Sequence, residues 1–368
     1  MISKLDVAFK FGAGRYIQEP DALDIAGPEV KRFGKKAFII GGPTAIDLVK
    51  ERLSKSLLSS DIAFEYEVYS GYTTREISEY YANYCTGNKF DVVIGTGGGR
   101  IMDLSKAIAH NANLPVVNIP TQAATCAAFT PMSVMYTKDG AAGGTIGGNF
   151  YHDYEVSAVI VDENIMLYQP PRYAASGMLD AMAKYIEVQN GHSEMLFDNF
   201  NIELYTAYVL AEYTYKILEK NCLKIYNDIK NHQLTKEVHD FLFINFAITG
   251  IISGSSKALG QTALSHEMYY AARILFTQES LSYLHGEIVG TSLILQLYYN
   301  RTPERIPAFK EFMRTMNMPV TLSDLGIPET EENIKRIFEY LLTTPFVKDT
   351  EEDRTILMEG IRQICALE

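Results

Sequence analysis

The feature that most constrains this chain is an alternation between residues 37 and 162. Short β-branched runs, AFII (37–40), FEYEVY (64–69), DVVIG (91–95), VVNI (116–119) and SAVIVD (157–162), are separated by stretches with apolar residues at helical spacing. Strands that recur after helix-length connections form a parallel sheet with crossover helices. The first two crossovers are predicted in TAIDLVKERLSKSLL and TREISEYYANYC. The N-terminal half is therefore expected to be a doubly wound, Rossmann-like α/β domain. Residues 138–150, KDGAAGGTIGGNF, read as a glycine-rich turn or hairpin placed before the last strand. The Pro170-Pro171 pair ends the alternation, and the segments beyond it, such as NFNIELYTAYVLAEYTYKILEK and KEVHDFLFINFAITGIISG, carry a helical period. A boundary within residues 163–171 follows, with a dinucleotide-type α/β domain over residues 1–165 and an all-helical domain over residues 166–368. No internal repeat or low-complexity segment is evident.

A chain of 368 residues can bury two sizeable cores. Its apolar residues never run for the roughly 18 positions of a membrane span, and the start MISKLDVAFKFGAGRY lacks the apolar stretch of a signal peptide. No membrane association and a cytoplasmic location are expected. Cys85, Cys126, Cys222 and Cys365 are scattered without a CxxC pair, which argues against disulfides and zinc ribbons. A net charge of -12 without basic clusters disfavours nucleic acid as a partner. A small molecule is the expected one.

The segment DVVIGTGGGRIMDLSKAIAH places Gly97, Gly98 and Gly99 between a strand and an amphipathic helix, where backbone N–H groups and the helix dipole can receive a phosphate. Arg100 adds a positive charge. A plain glycine turn is the competing reading. The pattern is not GxGxxG, and it follows the third candidate strand rather than the first. The first strand ends in Gly41-Gly42-Pro43-Thr44 with no carboxylate to meet a ribose 2′-hydroxyl, so NADP(H) is permitted as well as NAD(H).

In the second half, Asp180, His266 and His285 lie on helices or at helix edges. Two imidazoles and a carboxylate make a three-donor site with an open position, the usual form of a catalytic Zn²⁺ site, and such an ion polarises an alcohol oxygen. Spacing alone does not select this set over other Asp and His combinations. His110, His152, His192, His232 and His239 are assigned to surface or interdomain positions.

Four stretches in order, GTGGGRIMDLSKA, PTQAATCAAFTPMSVMYTKDG, GMLDAMAKYIE, and SHEMYYAAR with LHGEIVG, resemble the glycerol dehydrogenase-like branch of the iron-containing alcohol dehydrogenase superfamily. The resemblance implies a dehydroquinate synthase-like fold, with cofactor and metal held in a cleft between the α/β and helical domains. It also implies metal ligands at Asp180, His266 and His285, and cofactor contacts at Gly99, Arg100, Thr121, Ala124, Thr130, Met132 and Tyr136, with Asp103 and Lys106 in the same loop-helix element. Branches with four protein ligands carry a His where this chain has Lys184, so three ligands result, which suits zinc at least as well as iron. Tyr269 stands where glycerol dehydrogenases tend to have a second His, which removes a proton relay through that group.

Cys126 stands where glycerol dehydrogenases carry a substrate-contacting Asp. A carboxylate there would repel an acid substrate, and a thiol would not. AATCAAFTPMSV is also similar to the hydroxycarboxylate dehydrogenases, so the preferred reading is reversible reduction of a 2-oxo acid with NADPH or NADH. A buried filler role for Cys126 competes with this one. Glycerol or another polyol is the alternative substrate, a dehydroquinate synthase-like lyase is a lesser one, and a nucleotide-binding assembly protein without chemistry the least. Lys184, Lys257 and Arg273 are candidates to hold a substrate carboxylate, by closeness to the motifs alone. A homo-oligomer of unfixed size is expected.

Overall fold

The computed structural model describes residues 9–143, 148–196, 201–256 and 262–366. The strands are β1 (Tyr16–Glu19), β2 (Lys36–Gly41), β3 (Ala63–Val68), β4 (Val92–Gly97), β5 (Val116–Pro120), β6 (Met132–Val134), β7 (Asn149–Tyr151) and β8 (Ala158–Asp162). The helices are α1 (Ala26–Val30), α2 (Pro43–Ser59), α3 (Arg75–Gly87), α4 (Gly99–Ala112), α5 (Glu163–Met166), α6 (Pro171–Val188), α7 (Ile202–Lys230), α8 (Lys236–Phe243) and α9 (Thr249–Ser255). They continue with α10 (Leu264–Leu275), α11 (Thr277–Ser280), α12 (His285–Tyr299), α13 (Ile306–Thr315), α14 (Glu331–Leu342) and α15 (Glu351–Gln363).

The chain divides into two compact units, residues 1–170 with 228–251, and residues 171–227 with 252–368. The break falls at Pro170-Pro171, within the span of residues 163–171 where the boundary is expected, because α5 follows β8 directly and stays with the sheet. A departure from the expected domains is the return of residues 228–251 to the first unit. Helical period alone could not assign them there.

The first unit holds a six-stranded sheet in the order β1-β8-β5-β4-β2-β3, parallel at every pairing. Strands β2, β4, β5 and β8 are buried nearly end to end, so they appear in sequence as unbroken apolar runs. Leu23, Ile39, Val49, Leu53, Ile62, Ile94, Val117 and Ile160 pack into one core on the α1–α2 face. The edges are treated differently. β3 alternates, with Glu65 and Glu67 among its outward residues, which blunts the edge against further pairing. β1, four residues at the other edge with only Gln18 buried, leaves no apolar run and is absent from the predicted strands. The glycine-rich stretch lies between β6 and β7, which pair antiparallel with Met132 opposite Tyr151; its residues 144–147 lie outside the described ones.

Strand order reverses between β2 and β4. The crossover after β2 runs outward to β3, and the one after β4 runs the other way to β5. Ligands of open α/β sheets bind beyond the strand C-termini at such a reversal. Here that point brings together the end of β2 and the Gly97–Gly99 loop.

Lys236–Ser255 forms one continuous helical stretch, long and apolar enough by length and composition to cross a membrane, contrary to the expectation from apolar run lengths. Its apolar content has another use, since 56% of its most apolar 18-residue stretch is buried. Phe241 and Phe246 are almost wholly buried, and Phe243 stacks edge-on with Tyr16 at 5.5 Å. A π-helical turn at Ile244–Ile248 interrupts it and turns Asn245 toward the loop after β5, where its Nδ2 donates to the Thr125 carbonyl at 3.2 Å.

His152 corrects the surface assignment. It is 3% exposed, paired with Ser133 at 2.7 Å, and its pKa is pushed down to about 2, by burial first and then by Lys106 and other positive neighbours. His110, half-buried, packs against it with its ring tilted at 5.2 Å, and both line a cavity of about 260 Å³ near the starts of β5 and β8. His192, His232 and His239 are exposed as expected.

The loop after β5 is tied down by Lys106. Its Nζ donates to the carbonyls of Ala127 (2.7 Å), Thr130 (2.9 Å) and Met132, and pairs with Asp103 at 3.0 Å. Lys106→Met would leave Asp103 buried without its cation, at a cost of about 3–5 kcal/mol. A lowered urea midpoint is expected, with much of the loss restored in the Asp103→Asn/Lys106→Met double variant.

Candidate active site

In the first unit the glycine loop closes β4 and opens α4. Gly97 has φ +150°, a conformation that strains any residue with a side chain. Gly98 is the N-cap of α4 and supplies no capping side chain; Ile101 donates its N–H to the Gly98 carbonyl at 2.9 Å, and the N–H groups of Gly99 and Arg100 with the helix dipole are placed to meet a ligand. Thr121 donates its backbone N–H to the Gly97 carbonyl at 3.0 Å, which fixes the next loop against the glycines, and Gly99 lies beneath Thr125 and Ala127. Ala124, Cys126 and Thr130 are buried in this loop. Cys126 starts a tight turn, its carbonyl accepting from the backbone N–H of Phe129 at 2.9 Å.

Arg100 sets its guanidinium over the Tyr72 ring at 5.1 Å, and Tyr72 packs on Tyr136 at 5.6 Å. Tyr72 was not among the predicted site residues. The structure turns Asp103 elsewhere. Its carboxylate meets Lys106 and the Val134 N–H (3.2 Å), while its carbonyl accepts from Ser133. Asp103 therefore holds the β6 strand in place rather than facing the loop, and Met132 joins the same arrangement through its carbonyl.

In the second unit, α6, α10 and α12 converge. Asp180, Lys184 and Glu187 fall at i, i+4 and i+7 on α6 and so share a face. His266 sits in the first turn of α10, and His285 is the first residue of α12. The approach of α12 to α6 depends on Gly286, where an added Cβ would lie 1.9 Å from the Ser176 carbonyl oxygen. The start of α12 is fixed by Glu287, which accepts from the Leu284 N–H at 2.8 Å and binds Arg172 through both carboxylate oxygens, at 2.6 Å each.

Donor atoms of Asp180, His266 and His285 all lie within 4.8 Å of one another. Asp180 Oδ1 is 3.4 Å from His266 Nε2 and 3.5 Å from His285 Nε2. Ligands 2.0–2.2 Å from a tetrahedral ion are separated by about 3.3–3.6 Å, which both Asp180–imidazole separations match. Glu187 orients His266. It accepts from His266 Nδ1, from the His266 backbone N–H at 3.0 Å and from the Ala263 N–H at 2.8 Å, leaving Nε2 aimed at Asp180. Carboxylate support of a ligating imidazole is a usual feature of metal sites. Its signal in the sequence was the shared face with Asp180.

The electrostatics follow from burial. Desolvation pushes the Asp180 carboxyl up, but Lys184 and the two imidazoles outweigh it and hold it well below its usual range. Burial likewise pushes His266 down, and Glu187 with Asp180 more than reverses this. His285 has no second carboxylate, and burial leaves it lowered despite Asp180. Tyr269 packs edge-on to His285 at 4.4 Å. Arg273 is turned away, donating to the carbonyls of Ser280 and Tyr283 at 2.7 Å each, and Lys257 lies outside the described residues.

A glycine loop at the switch point of a parallel sheet in one unit, and a cluster of Asp180, His266 and His285 in the other, accompany similarities that indicate an oxidoreductase acting on CH–OH groups. Residues 13–162 match the family of iron-containing alcohol dehydrogenases. The chain is 27% identical over 333 residues to glycerol dehydrogenase of Thermotoga maritima, covering 89% of this chain and 87% of that one. It is 28% identical over 244 residues to hydroxycarboxylate dehydrogenase A of Escherichia coli, 66% of this chain and 65% of that one. A probable glycerol dehydrogenase from Sinorhizobium meliloti has the same fold, with a TM-score of 0.81 at 22% identity over 96% of this chain and 98% of that one. Over residues 13–162 and through these relatives, the chain resembles the iron-containing alcohol dehydrogenase family.

Glu187→Gln tests the support of His266. It is expected to weaken zinc uptake about 10–100-fold, read by competition with a chromophoric chelator.

Proposed function

We propose that this protein transfers hydride between NAD(P)(H) and a small polyol or hydroxy-carbonyl compound, with one divalent ion, Zn²⁺ in preference to Fe²⁺, held by Asp180, His266 and His285. The observation that carries this reading is the convergence of the three donors within 4.8 Å, with Asp180 at tetrahedral separation from both imidazoles. When bound, the ion supplies a Lewis acid for the reacting oxygen and the nicotinamide supplies or takes the hydride.

The chain's own residues supply position and charge. The uncapped first turn of α4 and the Gly97–Gly99 backbone receive the pyrophosphate, with Arg100 adding a cation. The loop from Thr121 to Thr130 lies against those glycines and carries Ala124 and Cys126; Met132 and Tyr136 follow it. Glu187 fixes the tautomer and direction of His266, and Glu287 fixes the start of α12 and with it His285.

The polyol reading takes precedence over the 2-oxo acid expected from Cys126. The T. maritima relative named for glycerol matches over most of both chains, and the one named for a hydroxycarboxylate over two thirds. Cys126 still favours the second reading, since a neutral thiol does not repel an acid substrate.

Chelation is expected to abolish turnover and added Zn²⁺ to restore it, with one metal per chain by elemental analysis. Turnover that survives chelation would sink the proposal. On a panel of glycerol with NAD⁺ against 2-oxo acids with NADPH and NADH, glycerol is expected to be the better substrate. Cys126→Asp is expected to lower kcat/KM for 2-oxo acids at least tenfold while sparing glycerol.

A further inference from the structure

Lys184 is an unusual neighbour for a cation site. It is 3% exposed, and its Nζ lies 3.4 Å from Asp180 Oδ1 and 3.3 Å from His266 Nε2. These match the separations of Asp180 from the two imidazoles, so the ammonium stands at a corner shared by Asp180 and His266, at the spacing of a neighbouring donor. It reaches that corner because it follows Asp180 by one helical turn. A dication and an ammonium that share a carboxylate in a dry site repel each other.

We infer that Lys184 is a specificity-determining residue, a fixed ammonium at the open corner of the donor set that weakens the site for a bare dication and favours one accompanied by an anionic oxygen ligand. The inference rests on the metal reading above. Three observations carry it together. The Nζ is shared between two donors, the side chain is shielded from water, and Glu187, the nearest other carboxylate of this face, is engaged by His266 and backbone N–H groups. A neutral side chain of similar size would leave the three donors in place and the corner empty of charge.

The test uses the full chain stripped by a chelator and titrated with Zn²⁺ against a chromophoric competitor, in wild type, Lys184→Met, Lys184→Gln and Lys184→Arg. Both neutral variants are expected to bind Zn²⁺ at least tenfold tighter than wild type, and the arginine variant no tighter. Co²⁺-loaded samples titrated with acetate provide a second readout. The visible Co²⁺ bands are expected to shift with acetate in wild type and Lys184→Arg, and to respond at least tenfold more weakly in the neutral variants. Equal or weaker Zn²⁺ binding in Lys184→Met and Lys184→Gln would overturn the inference and make the lysine a ligand or a structural group. An acetate response unchanged in the neutral variants would overturn the anion preference. Stoichiometric Zn²⁺ binding by wild type separates failure of this inference from failure of the metal reading; a wild type that binds no Zn²⁺ overturns both.

Discussion

A carboxylate removed from water sets the terms for the helical unit. Asp180 is 2% exposed, and an ionised carboxylate in such a place is tolerated only with counter-charge and hydrogen bonds around it. The answer here is a compact set of Lys184, His266 and His285, with Glu187 behind His266. A purely structural core would be more simply filled with apolar residues, and the five titratable groups at the meeting of three helices are what the proposed metal site rests on. Gly286 and the Arg172–Glu287 pair answer to the same demand, because both fix how closely and at what point α12 begins.

The α/β unit solves a different problem. Its loop after β5 carries many of the candidate contacts and has little regular structure of its own, so its shape is imposed from outside. Lys106 gathers two of its carbonyls and that of Met132 at the start of β6, Thr121 ties it to the glycine loop, and Asn245 reaches it from the returning helical segment. A loop held from three sides can present backbone and small side chains without the cost of ordering them when a ligand arrives.

What could be seen in the sequence follows from how each signal arises. Strands buried on both faces leave apolar runs, and β2, β4, β5 and β8 were visible for that reason, while the short edge strand β1 left none. The three candidate metal donors were nameable, but nothing local joined Asp180 to His266 and His285; the resemblance selected them and the fold brings them together. Glu187 was open to the same reasoning through its helical offset from Asp180. Asn245 was not, since a π-turn changes which way a residue faces and leaves no trace in periodicity. Asp103 and Arg273 lay beside the right motifs and point elsewhere, which closeness in sequence cannot reveal.

The return of residues 228–251 has a consequence for how the protein is made. Chains fold domain by domain as they emerge from the ribosome. Here the sheet is complete by residue 162, but the segment that packs beside Tyr16 and braces the loop after β5 is not synthesised until most of α7 has been. The nascent α/β unit must therefore wait with an uncovered flank while part of its neighbour is translated, and no single cut in the chain would release it whole.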